Sequence, residues 1–212
     1  IEAYACIIGM AGHLYQQPTI IHQLVAVAIE AYPTTMAARL IVEGDMSGAQ
    51  LDLMGKALLS VEDRWRREKE TILSIDALRE AKRQQQLSFI ERIREWLEFG
   101  RGADYAESME IQYYRVLAVR RGLHILVALR RYRNQRGNWP ESLDMIAPLL
   151  PAEILGDTKR CGSFIYKRLD RDFVLYSTGP DCFDQGGRSD DVPVWPTRRM
   201  VYEEKRKKQN AK

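Results

Sequence analysis

The stretch GPDCFDQGGRSDDV, residues 179–192, sets four aspartates, three glycines and a cysteine within fourteen positions. Carboxylates at this density suit a hard cation, and calcium takes roughly six to eight oxygen ligands at about 2.3–2.6 Å. Asp181 and Asp190 are the candidate side-chain ligands, with Asp184 and Asp191 in reserve. The backbone carbonyl of Thr178 is placed to join them. Gly186 and Gly187 permit positive φ, which lets the chain fold back around an ion. The alternating aspartates and closing glutamate of an EF-hand are absent. Two other readings stand beside the ion site. Asp and Gly are also the commonest turn residues, so the stretch fits a solvated turn. A catalytic carboxylate pair needs a pocket that raises one pKa, and nothing nearby in the sequence supplies it.

Little else in the chain carries chemistry. His13, His22 and His124 show no HExxH spacing and read as packing or capping residues. There is no GxSxG, Walker-type or GxGxxG motif. Cys6 lies among apolar residues and reads as an inert core thiol. Arg130, Arg131, Arg133 and Arg136 crowd one helix end, where cations complement the dipole.

The elements that must position the loop follow from periodicity. Residues 1–136 read almost wholly as helix, with one helix ending near Pro18 and the next stopping at Pro33. Ile20, Ile21, Leu24, Val25, Val27, Ala28 and Ile29 predict a well-buried second helix. Ser47 with Gln50 forms a capping box ahead of Leu51, Leu53, Met54, Leu58 and Leu59. Residues 62–101 hold ten basic and nine acidic side chains around Trp65, Ile72, Ile75, Leu78, Leu87, Ile90, Ile93 and Leu97, a solvated helical pattern. A long helix then runs from about Tyr105 to about Gln135, and Gly137 ends it.

Beyond Gly137 the pattern changes. NWPESLDMIAPLLP is a short helical stretch punctuated by prolines. Residues 163–169 and 172–178 alternate as two strands about the turn Leu169–Asp172, and VPVWP is a further short strand or extended segment. Pivoting that hairpin between Asp170 and Arg171 puts Cys161 and Cys182 just past opposite ends of its ladder. Both a disulfide, which would mark an oxidising compartment, and two reduced thiols fit this placement.

The order of these pieces resembles the globular part of type II secretion major pseudopilins. There a long helix ends in a Gly-x-Tyr-Pro-like step, followed by a short helix, a small antiparallel sheet and a calcium loop. Leu175, Tyr176, Ser177, Gly179, Asp181, Gly186, Gly187, Asp190 and Asp191 match that loop in order, and the similarity covers about residues 118–195. The step's tyrosine is Trp139 here, and Asp157 is followed by Thr158 where the family has Asp-Pro. A pseudopilin's hydrophobic N-terminal half-helix and prepilin-peptidase site are replaced by over a hundred helical residues. The resemblance implies a bound calcium ion and an envelope setting, with the module borrowed by a different protein.

The expected fold is therefore α+β: a helical region at 1–103, a long helix plus pseudopilin-like module at 104–197, and a basic, disordered tail at 198–212. Residues 203–212 supply the whole formal charge of +3, leaving residues 1–202 neutral, so a dedicated nucleic-acid binder is not indicated. No run approaches the roughly 18 consecutive apolar residues of a membrane helix, so any membrane contact is expected from a segment upstream of Ile1. The functional expectation is a non-enzymatic, extracytoplasmic or membrane-anchored protein facing the periplasm, with a protein partner or self-association. The alternatives are an enzyme with its site in the cleft between helical region and sheet, or a metal-free helical scaffold.

Overall fold

The structure, a computed structural model, describes residues 1–17, 19–58, 102–156, 162 and 164–210. The amphipathic stretch from Trp65 to Leu97 lies outside the described residues. The described chain is α+β, with helices leading to a small three-stranded antiparallel sheet near the C-terminus.

Helix α1 (Glu2–Tyr15) buries Ile8, Ala11 and Tyr15, one side of a 3.6-residue period. That phase leaves Cys6 on the outward side, so it is an exposed free thiol and not the core cysteine its apolar neighbours suggested. Gln23 closes the turn after α1 by donating its side-chain amide to the carbonyls of Tyr15 and Gln17, at 3.1 and 2.9 Å. Thr19 then caps α2 (Ile20–Glu43), accepting from the His22 amide.

Helix α2 departs from the sequence expectation twice. It runs through Pro33 to Glu43 instead of stopping. A proline inside a helix removes one donor and crowds the preceding turn. The carbonyl that loses its donor is that of Ile29, and in the turn beside it the Thr34 hydroxyl donates to the Glu30 and Ala31 carbonyls and Thr35 to that of Ala31. Its burial is also not what the apolar list suggested. Ile21, Val25, Tyr32 and Leu40 are exposed, whereas Gln23, Glu30 and Thr34 are buried. Ile21–Glu43 is nonetheless long and apolar enough to cross a membrane by length and composition. The count of consecutive apolar residues missed it because His22, Gln23, Glu30 and the threonines break the run.

Ser47 and Gln50 form the expected capping box of α3 (Gly48–Ala57), whose Leu51 and Met54 are buried. The long helix, α4 (Gly102–Arg136), is the spine of the molecule. Residues 125–130 are buried without interruption, which requires cover on every side. That cover comes from α2 and α3 on one side and strands β2 and β3, described below, on another. Gly137, at φ 81°, ends α4 by returning its amide to the Arg133 carbonyl at 2.8 Å. The arginines near this end do more than complement the dipole. Arg130 donates to the Val42 carbonyl at 3.0 Å, Arg131 pairs with Asp52, and Arg133 stacks over Trp139.

Two 3₁₀ turns (Leu143–Met145 and Ala147–Leu149) and the short α5 (Ala152–Leu155) lead to the sheet. Strands β1 (Ile165–Arg168) and β2 (Phe173–Ser177) pair with Ile165 opposite Tyr176 and Arg168 opposite Phe173, pivoting where the sequence placed the turn. VPVW forms β3 (Val192–Trp195) on the other edge of β2. Phe173 sits beneath the sheet with Trp139, Tyr166 and Trp195 around it, at ring-centroid distances of 4.7, 5.5 and 6.3 Å. One core cluster joins Ile41 and Leu51 from the N-terminal helices to Leu126, Phe173 and Val194. The basic tail is a helix as far as it is described, α6 (Arg198–Asn210), contrary to the expected disorder. Thr197 begins it as an N-cap, and no Gly or Pro follows to break it.

Candidate functional site

The aspartate loop joins β2 to β3, and its conformation depends on backbone that few residues adopt. Gly179, Cys182, Gly186, Gly187 and Ser189 all have positive φ. At Gly179 a side chain would also collide with the Asp190 carbonyl, so the two ends of the loop approach closely because residue 179 lacks Cβ.

Each aspartate has a distinct place. Asp191 is fully buried. Its Oδ2 accepts from the backbone amides of Gln185 and Gly187 at 3.0 and 2.7 Å, drawing the loop around it. Its Oδ1 is buried and has no hydrogen-bond partner. Asp184 accepts from the Tyr176 hydroxyl at 2.8 Å and the Gly186 amide at 2.9 Å. The Gly186 amide, then the Tyr176 hydroxyl, hold its carboxyl below the usual carboxylate range. Asp181 accepts from the Phe183 amide and the Gln185 side chain. Asp190 pairs with Arg115 of α4 at 2.9 Å. Thr178 is buried at the head of the loop.

Lys167 of β1 reaches the same side of the sheet. Its ammonium lies 3.2 Å from the Tyr176 hydroxyl, a hydrogen bond that raises its pKa. Burial, and then the hydrogen bond to Asp184, push the Tyr176 phenol up. Arg198 closes the other side, donating to the carbonyls of Ser189 and Asp191 at 2.5 and 2.7 Å.

Among the described residues, no three His, Cys, Asp or Glu side chains are grouped to hold a metal ion. The loop as folded therefore presents one buried, unpartnered carboxylate oxygen, the Oδ1 of Asp191, and not a cage of carboxylates. Sequence reasoning ranked Asp181 and Asp190 first and held Asp191 in reserve. The structure makes Asp191 the buried residue and gives Asp190 to Arg115. Arg115, Gln185 and Arg198 were missed as holders of the loop. No local signal marks Arg115, which meets Asp190 across 75 positions.

Cys182 is disulfide-bonded. Cys161, the possible partner in the sequence reading, lies outside the described residues.

A second concave feature lies in the cleft between helical region and sheet, a cavity of about 340 Å³ bounded by α2, α4, β3 and the start of α6. Glu30 reaches it, but both carboxylate oxygens are occupied by Arg120, and one also accepts from Tyr15. Against known proteins, the chain matches no family model, no curated protein and no solved structure.

Proposed function

We propose that this is a non-enzymatic, envelope-associated structural or interaction protein whose C-terminal module is stabilised by calcium at the aspartate loop. The observation that carries the reading is Asp191, wholly buried with one carboxylate oxygen unsatisfied. An unpaired buried carboxylate oxygen is costly, and a bound cation removes the cost by supplying the missing charge. The loop's likeness in residue order to the pseudopilin calcium loop, from Leu175 to Asp191, supports the same ion. Asp191 and backbone carbonyls such as that of Thr178 would hold it, with Asp190 drawn from Arg115 or left in its ion pair. Calcium would neutralise the buried Asp191 carboxylate and add to the hydrogen bonds that already hold the loop.

The exposed Ile21, Val25, Tyr32 and Leu40 on α2, together with Met10 of α1, support the envelope and partner part of the reading. An apolar outer side on helices near the N-terminus suits a membrane boundary, a protein partner or a second copy.

The test is thermal unfolding in EDTA and in millimolar calcium, with Asp191→Asn beside the wild type. A ligand at 100-fold over its Kd adds about 2.7 kcal/mol, which for a chain of this size is roughly 5–10 °C. Calcium should raise the wild-type midpoint by that order and leave the variant unmoved. A wild-type midpoint that ignores calcium would overturn the proposal.

A further inference from the structure

The outer side of α2 carries an apolar stripe. Ile21, Val25, Ala28 and Tyr32 follow one another at intervals of four, three and four residues, and all four are exposed. That spacing keeps them on one line along about three turns of a helix. By length and composition the segment Ile21–Glu43 is apolar enough to cross a membrane, yet its other side is held in the interior by Glu30, Ala38 and Ile41. A helix anchored along one side and apolar along the other lies in an interface rather than through it.

Helix α6 supplies the complementary surface, and it begins beside that stripe. The Arg199 guanidinium lies over the Tyr32 ring, 5.3 Å from its centroid, and Met200 packs against the core cluster. From this fixed start the helix presents Val201 and Tyr202, both exposed, and continues through Lys205, Arg206, Lys207 and Lys208. Its sequence holds six basic and two acidic residues. A cluster of roughly four to eight cations on an amphipathic helix attracts anionic lipid headgroups, whose diffuse charge asks for no fixed geometry. Tyr32 and Tyr202 each join an apolar ring to a polar tip, which suits the headgroup level of a bilayer.

We infer that the outer side of α2 and helix α6 form one docking surface for an anionic lipid bilayer. The stripe enters the boundary between headgroups and acyl chains, and the cations of α6 meet the headgroups. A neutral bilayer would use only the stripe, and an acidic protein or other polyanion only the cations, so each leaves part of the surface unmatched. The inference rests on the envelope part of the proposed function and not on the ion in the aspartate loop.

The experiment is co-sedimentation of the full chain with sucrose-loaded vesicles in EDTA, made of phosphatidylcholine alone or of an equimolar mixture with phosphatidylglycerol. Ile21→Ser with Val25→Ser removes apolar area from the stripe, and Lys207→Gln with Lys208→Gln removes charge from α6. Circular dichroism and urea unfolding check that both double variants fold. The wild type should partition onto the mixed vesicles at least about tenfold more strongly than onto phosphatidylcholine. Each double variant should lose about tenfold or more of that binding. Raising salt from about 0.1 M to about 1 M, which shortens the screening length from about 10 Å to about 3 Å, should release most of it. Absence of binding to the mixed vesicles, or equal binding to neutral ones, overturns the inference. So does full binding by the folded α2 variant, which would leave α6 acting alone as a polyanion binder. A wild-type dimer in sedimentation velocity that the α2 variant converts to monomer also overturns it, because a second copy then covers the stripe. A midpoint that ignores calcium while vesicle binding persists removes only the ion from the proposed function. Lost vesicle binding with the calcium shift intact removes only this inference.

Discussion

Glu30 and Arg120, ninety positions apart in sequence, meet in the interior as a bidentate pair between α2 and α4. Arg120 Nε lies 2.6 Å from Glu30 Oε1 and Nη2 lies 2.7 Å from Oε2, and both residues are almost excluded from solvent. Tyr15 donates to the same carboxylate at 3.0 Å and lies under the guanidinium at 4.8 Å, so α1 joins the pair. Removing one member of such a pair leaves a desolvated charge without its partner, whereas removing both does not. Arg120→Met should lose about 3–5 kcal/mol in urea unfolding, and Glu30→Met with Arg120→Met should recover most of it. A single variant as stable as the double would show that the pair is not desolvated as described.

The joint between the spine helix and the sheet offers a second test. A Cβ at Gly122 of α4 would overlap the side chain of Val194 on β3. The absence of that atom lets β3 seat directly on the helix. Gly122→Ala gains helix propensity but forces the contact apart, and overpacking of this kind costs about 1–3 kcal/mol. Val194→Ala added to Gly122→Ala should restore part of the loss by making room. If Gly122→Ala is neutral in urea unfolding, β3 does not lie this close to α4.

These contacts mark where sequence reading succeeds and where it stops. The hairpin register was legible because alternation and a tight turn fix it locally, and Ile165 indeed faces Tyr176. The capping box at Ser47 and the helix stop at Gly137 are short-range signals as well. The orientation of α2 was not legible, because its buried side mixes Gln23, Glu30 and Thr34 with Ala26, Ala38 and Ile41. Glu30 and Gln23 face inward since their partners are Arg120 and the carbonyls after α1, and no local pattern announces either. Nor does any local pattern announce the passage through Pro33, where α2 continues with the Thr34 and Thr35 hydroxyls bonded to the preceding turn. At the aspartate loop, composition identified the segment. Which aspartate is buried depends on how glycines and Arg115 fold the loop, and that is decided in three dimensions.

Stability at high pH should reflect the buried phenols. Tyr166 donates to the Pro140 carbonyl at 2.8 Å, and burial, then the nearby Asp172, push its pKa from 10.0 to about 12. Burial, then Glu30, raise Tyr15 as well. The fold requires the protonated phenol, so this contribution is complete below about pH 10 and is lost as pH rises through the folded-state value. The urea midpoint should therefore fall between about pH 10 and 12, and Tyr166→Phe should fall less steeply over the same range. Identical slopes for wild type and variant would remove Tyr166 from the account.

Cys182, at φ 64° in the aspartate loop, is disulfide-bonded, while Cys6 on the outward side of α1 is free. Of the two states the sequence allowed for Cys161 and Cys182, a bond between them would clamp the entry to β1 onto the loop that follows β2. A peptide map without reductant should find Cys161 linked to Cys182, and an alkylating reagent should label Cys6 alone. Closing a loop of about 20 residues is worth about 3 kcal/mol through the unfolded chain, so mild reduction should lower the unfolding midpoint. Because the bond is anchored within the aspartate loop, reduction should also weaken any midpoint shift that calcium produces under the proposed function. A map that links Cys6 to either of the others would sink the clamp. A reduced protein with an unchanged midpoint would show that the loop is held by Asp191, Arg115 and Arg198 without help from the bond.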